Sequence, residues 1–147
     1  MEYSLKNIYW IRVISSALIV IALSYLVILL ITACYAFILA FQVRGKPDQV
    51  AISHFAAMVG RWLMPILEVL LTFFVALIST KKIEKGISFN GLVIGILAGI
   101  LSVALKLTYG SQFDYRAMLL FLIIMGSGFL GGFITQKRIE KKMKSPA

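Results

Sequence analysis

Three observations predict an all-α integral membrane four-helix bundle with both termini cytoplasmic. Hydrophobic residues make up 61% of the 147-residue chain and charged residues 14%, with a mean hydropathy of +0.95; soluble domains hold roughly 45–50% apolar residues. Four apolar runs reach the length of about 20 residues that a helix needs to cross a hydrocarbon core about 30 Å thick. The 15 lysines and arginines fall mostly between those runs. The same observations exclude a soluble domain, a disordered chain, a disulfide scaffold with its many cysteines, and a nucleic-acid binder with a continuous basic face. Runs this long also exclude a membrane barrel of alternating strands about 10 residues each. The chain therefore reads as one transmembrane domain over 1–147.

Span 1 covers about 11–42. Residues 13 to 43 carry no charge, which as a helix is roughly 46 Å, so the span must tilt or project. Its charged start resembles a signal peptide, but the apolar stretch is about twice the usual 7–15 residues and has no small-residue cleavage site near its end, so a retained anchor is expected. Ile31-Thr32-Ala33-Cys34 fits a lipoprotein acylation box, yet residues 35 to 41 stay apolar where a lipoprotein turns polar. A plain buried thiol is the expectation for Cys34, with lipidation as the alternative. Span 2 covers about 53–80 and is interrupted by Arg61 and Glu68; span 3, about 90–107, is short and glycine-rich; span 4 covers about 116–136, ahead of a basic cytoplasmic tail over 137–147. Gly45-Lys46-Pro47-Asp48 turns the chain between spans 1 and 2, with Asp48 a candidate helix cap. Lys85-Gly86 closes span 2, Ser88 or Asn90 is placed to cap span 3, and Tyr109-Gly110-Ser111-Gln112 forms the tip between spans 3 and 4.

Orientation follows from the distribution of lysine and arginine. With four spans, the termini share a side with the loop between spans 2 and 3. That side holds ten basic residues, Lys6, Arg12, Lys81, Lys82, Lys85, Lys137, Arg138, Lys141, Lys142 and Lys144, against four opposite, Arg44, Lys46, Lys106 and Arg116. The basic tail reads as a topology signal, with contact to anionic lipid or nucleic acid the less economical reading. Tyr9 and Trp10 suit the cytoplasmic aromatic belt, and Tyr109, Phe113 and Tyr115 the outer one.

Span 2 carries the most informative pattern. At about 100° per residue, Arg61, Pro65, Glu68, Thr72 and Ser79 lie at roughly −20°, +20°, −40°, 0° and −20° relative to His54, so all the strongly polar residues share one wedge. Such a wedge must face protein or water, because a charge at mid-bilayer costs at least about 2.5–3.5 kcal/mol. His54 falls near the outer end, Arg61 about 10 Å deeper and Glu68 about 10 Å deeper again. Arg61 can snorkel outward, since helical side chains lean toward the N-terminus. Glu68 has no such outlet, so its carboxyl must be neutral or paired. Two turns apart, Arg61 and Glu68 would meet only at full stretch, through water or through a third residue. Pro65 frees the carbonyl of Arg61 between them. The wedge reads either as an interhelical polar clamp or as a proton- or ion-handling site. Ser24, Tyr35 and Gln42 share a face of span 1, and Tyr35 is at a depth to meet Arg61 or Glu68 in an antiparallel hairpin.

Gly91, Gly95 and Gly99 recur every four residues on span 3, with Ala98 and Ser102 on the same side; Gly128 and Gly132, with Gly131 and Thr135, form the matching cluster on span 4. Small residues at this spacing let helix backbones approach closely in lipid, here as an antiparallel pair or between protomers. No catalytic motif is present: there is no His-Glu-x-x-His, no Gly-x-Ser-x-Gly and no cysteine pair, and His54 is the single histidine. No enzyme activity, cofactor, metal or nucleic-acid partner is therefore expected.

The run Lys81-Lys82-Ile83-Glu84-Lys85-Gly86-Ile87-Ser88-Phe89-Asn90-Gly91-Leu92-Val93-Ile94-Gly95, followed by Leu130-Gly131-Gly132-Phe133, resembles the small four-span bacterial membrane proteins of the YrzE-like type. The resemblance covers mainly the C-terminal half. It implies a multi-pass protein of the inner (plasma) membrane and no particular activity. Four-helix small multidrug transporters have a similar size but keep an essential glutamate in the first span, where this chain has no carboxylate. The expected role is a non-enzymatic accessory or structural subunit in the lipid bilayer, associating with itself or a larger membrane complex. The alternative is a small transporter or proton-coupled channel subunit using Glu68 and Arg61.

Overall fold

The computed structural model describes residues 8–43, 46–83, 86–108 and 114–144. Four helices account for nearly all of them: α1 (Trp10–Val43), α2 (Gln49–Ser79), α3 (Ile87–Thr108) and α4 (Tyr115–Lys144), with a 3-10 turn over Thr80–Lys82. All four are long and apolar enough to cross a membrane. This is the architecture of a multi-pass membrane protein. Around the bundle the order is α1, α2, α4, α3, with α2 also touching α3 across the diagonal and α1 and α4 kept apart.

The helix ends follow local chemistry. Asp48 is the N-cap of α2, and its carboxylate accepts from the Val50 N–H at 2.8 Å. The expected cap of α3 needs correction. Helix α3 begins at Ile87, ahead of both Ser88 and Asn90, because Gly86 takes a left-handed conformation (φ 67°) that reverses the chain one residue earlier. Asn90 is buried, its Nδ2 donates to the Gly86 carbonyl at 2.9 Å, and its Oδ1 accepts from the Tyr9 N–H at 3.0 Å, so it serves the start of α1 instead. Ser88 donates to Gln136 Oε1 on α4 at 2.5 Å. The segment expected as a tail continues as the last turns of α4, through Lys144. The tip 109–112, with Phe113, and Arg44, Gly45, Lys85 and Lys6 lie outside the described residues.

The end of the bundle near the termini, here the terminal end, is stitched by polar bonds between helices. Ser16 Oγ donates to Ser79 Oγ at 2.7 Å, an Arg12 guanidinium nitrogen to the Lys82 carbonyl at 3.0 Å, and Thr135 Oγ1 to the Leu77 carbonyl at 3.1 Å. Between these bonds lie Val13, Ala76 and Ile94, with Ala17, Val20, Ala98 and Ile124 next along the axis. Replacing Asn90 by leucine removes the acceptor of the Tyr9 N–H and a second bond to Gly86. We expect a loss of about 1–2 kcal/mol, measured by thermal unfolding in detergent, with the helix content unchanged below the transition.

The far end is built differently. At 1.5 Å per residue, α3 spans about 33 Å and α1 about 51 Å. Since Asn90 meets Tyr9, α1 outruns α3 by roughly 20 Å, and that distal part pairs with α2. The long charge-free run thus includes a length of α1 that extends past the end of α3. The outward side chains Leu29, Phe37, Phe41 and Trp62 are largely exposed. Cys34 is exposed on α1, which corrects the expected buried thiol: only α2 covers this part of the helix, and Cys34 lies off that contact.

The glycine faces set the α3–α4 contact. A Cβ built on Gly128 would lie 2.5 Å from the Gly91 carbonyl oxygen, and one on Gly91 would lie 2.6 Å from that of Gly128. Gly95 abuts the backbone of Ile124 and Met125, Gly132 abuts Ile87, Ser88 and Gly91, and Gly99 lies under the Phe121 ring. Gly131 points the other way, toward the Phe73 carbonyl on α2. Helix α4 thus uses one glycine face for each neighbour. Without a hydrophobic gain from helix contact in lipid, such backbone proximity supplies the dispersion attraction that holds the helices together.

Candidate functional site

Helix α2 turns its polar wedge inward at the terminal half and leaves it uncovered at the far half. Glu68 and Thr72 are buried, Ser79 and Pro65 are partly buried, and Arg61 and His54 are exposed. Thr72 Oγ1 donates to the Glu68 carbonyl one turn earlier at 2.6 Å, so it is satisfied within α2. The division follows from helix lengths: α3 ends about level with Arg61 and α4 starts near there, so among the described residues little of either covers α2 beyond that level.

Glu68 is only 1% exposed, in the interior of an apolar bundle. Ser102 Oγ on α3 lies 2.8 Å from each carboxylate oxygen, and Lys106 Nζ, one turn further along α3, is 3.6 Å from Oε2. Of the candidate partners, neither Arg61 nor Tyr35 meets Glu68. Arg61 forms no hydrogen bond or ion pair among the described residues; it lies two turns away from Glu68, toward the far end. Tyr35 stacks on Phe55, ring centroids 3.9 Å apart, because the hairpin register set by this contact and by Ser16–Ser79 places it about three turns beyond Glu68. Ser24 is the span 1 residue level with Glu68; it is buried, but its hydroxyl donates to the Val20 carbonyl within α1. Gln42 is exposed near the end of α1. Among the described residues no buried side-chain nitrogen or oxygen lacks a hydrogen-bond partner.

Lys106 and Ser102 are the residues that sequence reasoning missed in this role. The signal was present: they are one turn apart on α3, and Lys106 is the lone cation between residues 87 and 108. Assigning Lys106 to the loop charges hid it. Its side chain is 32% exposed and bridges two environments. One is the Glu68 carboxylate. The other is a groove of about 630 Å³ between the far halves of α2, α3 and α4, where Arg61, Lys106, Arg116 and Asp114 stand above a floor of apolar side chains. Pro65 lines this groove too, and Glu68 does not.

The site is thus a buried carboxylate–hydroxyl pair capped by an ammonium that reaches an open basic groove. The described residues hold no group of three or more His, Cys, Asp or Glu side chains able to bind a metal ion. Comparison of the chain with protein-family models, curated proteins and solved structures finds no match.

Proposed function

We propose that this chain is a non-enzymatic accessory or structural subunit of the plasma membrane, its termini cytoplasmic, in which the Glu68–Ser102–Lys106 contact locks α2 to α3. The observation that carries this reading is the state of Glu68: a fully buried carboxylate with both oxygens engaged, outside the lining of the neighbouring groove. A transport carboxylate must exchange its partner for a substrate or proton reached from water; this one is enclosed by side chains that satisfy it. The excess of lysine and arginine at the terminal end supports the orientation. The exposed apolar length of the distal α1–α2 hairpin supports assembly with itself or with another membrane protein.

Flux through the purified chain in sealed vesicles tests this. With a pH-sensitive dye inside and a potassium diffusion potential applied, the wild type should pass protons no faster than empty vesicles, and cross-linking in native membranes should trap it in species larger than 16.4 kDa. One observation favours the second reading, a small transporter or channel subunit: Lys106 touches both the carboxylate and the groove. A proton flux that disappears in Glu68→Gln, with the variant still folded, would replace the scaffold reading by that one.

A further inference from the structure

Helices α2 and α4 meet closely at the terminal end, where Gly131 abuts the Phe73 carbonyl and Thr135 bonds to Leu77. They splay toward the far end, where the groove separates Arg61 and Ile66 on α2 from Arg116, Leu120 and Ile123 on α4. Helix α3 forms the floor. The groove is therefore a wedge with a polarity gradient. Its mouth holds three cations from three different helices, and its depth, toward the bundle centre, is lined by isoleucine and leucine. Arg61 and Arg116 have no carboxylate partner among the described ion pairs: the polar contact of Arg116 is with the Tyr115 hydroxyl at 3.2 Å. Asp114, the carboxylate at the mouth, accepts the Ala117 N–H at 2.9 Å at the start of α4 and attracts Arg116 without forming an ion pair, leaving three cations to one carboxylate around the groove.

Position along the helices adds to this. Helix α3, the shortest, is about 33 Å long, close to a hydrocarbon core of about 30 Å, so its far end and the neighbouring Arg61 and Arg116 fall at the level of the lipid phosphates. Cations at that level, above an apolar slot open to the side, match an amphiphile with an anionic head and a hydrocarbon tail. We propose that the groove binds one anionic phospholipid, its phosphate held by Arg61, Lys106 and Arg116 and one acyl chain lying along Ile66, Leu120 and Ile123. The site is independent of the scaffold reading. It would serve a transporter equally.

Native mass spectrometry of the full chain, delipidated in detergent and titrated with phosphatidylglycerol or phosphatidylcholine, tests the proposal. A single tightly held phosphatidylglycerol should appear, with phosphatidylcholine bound more weakly. Each of Arg61→Gln and Arg116→Gln should lower the phosphatidylglycerol affinity about fivefold, taking about 1 kcal/mol per interfacial cation. Both side chains are exposed, and thermal unfolding should be unchanged. Ala117→Phe fills the slot without altering charge, and should lower binding of phosphatidylglycerol while inorganic phosphate at millimolar concentration should not compete. Equal binding of the two lipids would overturn the proposal. So would full phosphatidylglycerol selectivity in Ala117→Phe, which would mean adhesion to basic surface. Competition by inorganic phosphate, with Ala117→Phe inert, would assign the cations to a free anion instead.

Discussion

Gly128→Ala should lower the stability of the bundle by about 3 kcal/mol, the upper part of the usual cost of overpacking, and Gly128→Val should prevent the α3–α4 pair from closing. An added Cβ meets backbone on the partner helix, 2.5 Å from the Gly91 oxygen and 2.8 Å from the Gly95 nitrogen and Cα. No rotamer change can clear backbone atoms, so α3 and α4 must separate along their whole contact. The neighbouring positions make the prediction specific. Gly126, half a turn away on α4, has nothing within 4 Å of its would-be Cβ, and Gly126→Ala should be neutral or stabilising by up to about 1 kcal/mol from helix propensity. Gly99→Ala should fall between them, since it meets the edge of the Phe121 ring at 2.7 Å, and a side chain can rotate away. Unfolding by denaturing detergent, followed by loss of protease resistance, gives the order. If Gly128→Ala proves no more harmful than Gly126→Ala, the close α3–α4 approach is wrong.

The same glycines show what a sequence can disclose about a membrane bundle. Glycine every four residues on two adjacent spans is a pattern in one dimension, and helix geometry turns it into a contact face without further information. The four helices are legible for a similar reason: length and apolarity are local properties, set by the thickness of the bilayer. Gly131 is not separable from Gly128 and Gly132 in this way, because which neighbour an adjacent glycine faces depends on the order of helices around the bundle. The partner of Glu68 is hidden for the same cause. The wedge on α2 identifies the carboxylate, but along the sequence a cation on the same helix lies nearer than one across the bundle. Depth decides otherwise: Arg61 lies level with the end of α3 and is left exposed, whereas Ser102 and Lys106 approach Glu68 from the side. Tyr35 fails on register, since the short connection between Val43 and Gln49 pairs it with Phe55, thirteen residues before Glu68 on α2.

Lys106→Met should destabilise the bundle far more than Glu68→Gln, although the two residues form one ion pair. Breaking a buried pair from one side leaves a charge without compensation, at a cost of about 3–5 kcal/mol. The two sides are not equivalent here. When Glu68 becomes glutamine, Ser102 can still donate to the side-chain carbonyl oxygen, and Lys106, 32% exposed at the groove, can turn its ammonium outward along its flexible stem. When Lys106 becomes methionine, Glu68 keeps one hydroxyl and stays buried, since its side chain is 2% exposed and does not line the groove. The full cost then falls on the carboxylate. Glu68→Gln combined with Lys106→Met should recover most of the lost stability, because the orphaned charge is gone and the thioether side chain fills a volume similar to that of the lysine stem. Equilibrium unfolding of the two single variants and the double variant in one detergent gives the coupling energy directly. Equal losses for the two single variants would mean that Lys106 has no outlet at the groove, and additive losses in the double variant would mean that the 3.6 Å contact between α2 and α3 contributes nothing to holding them together.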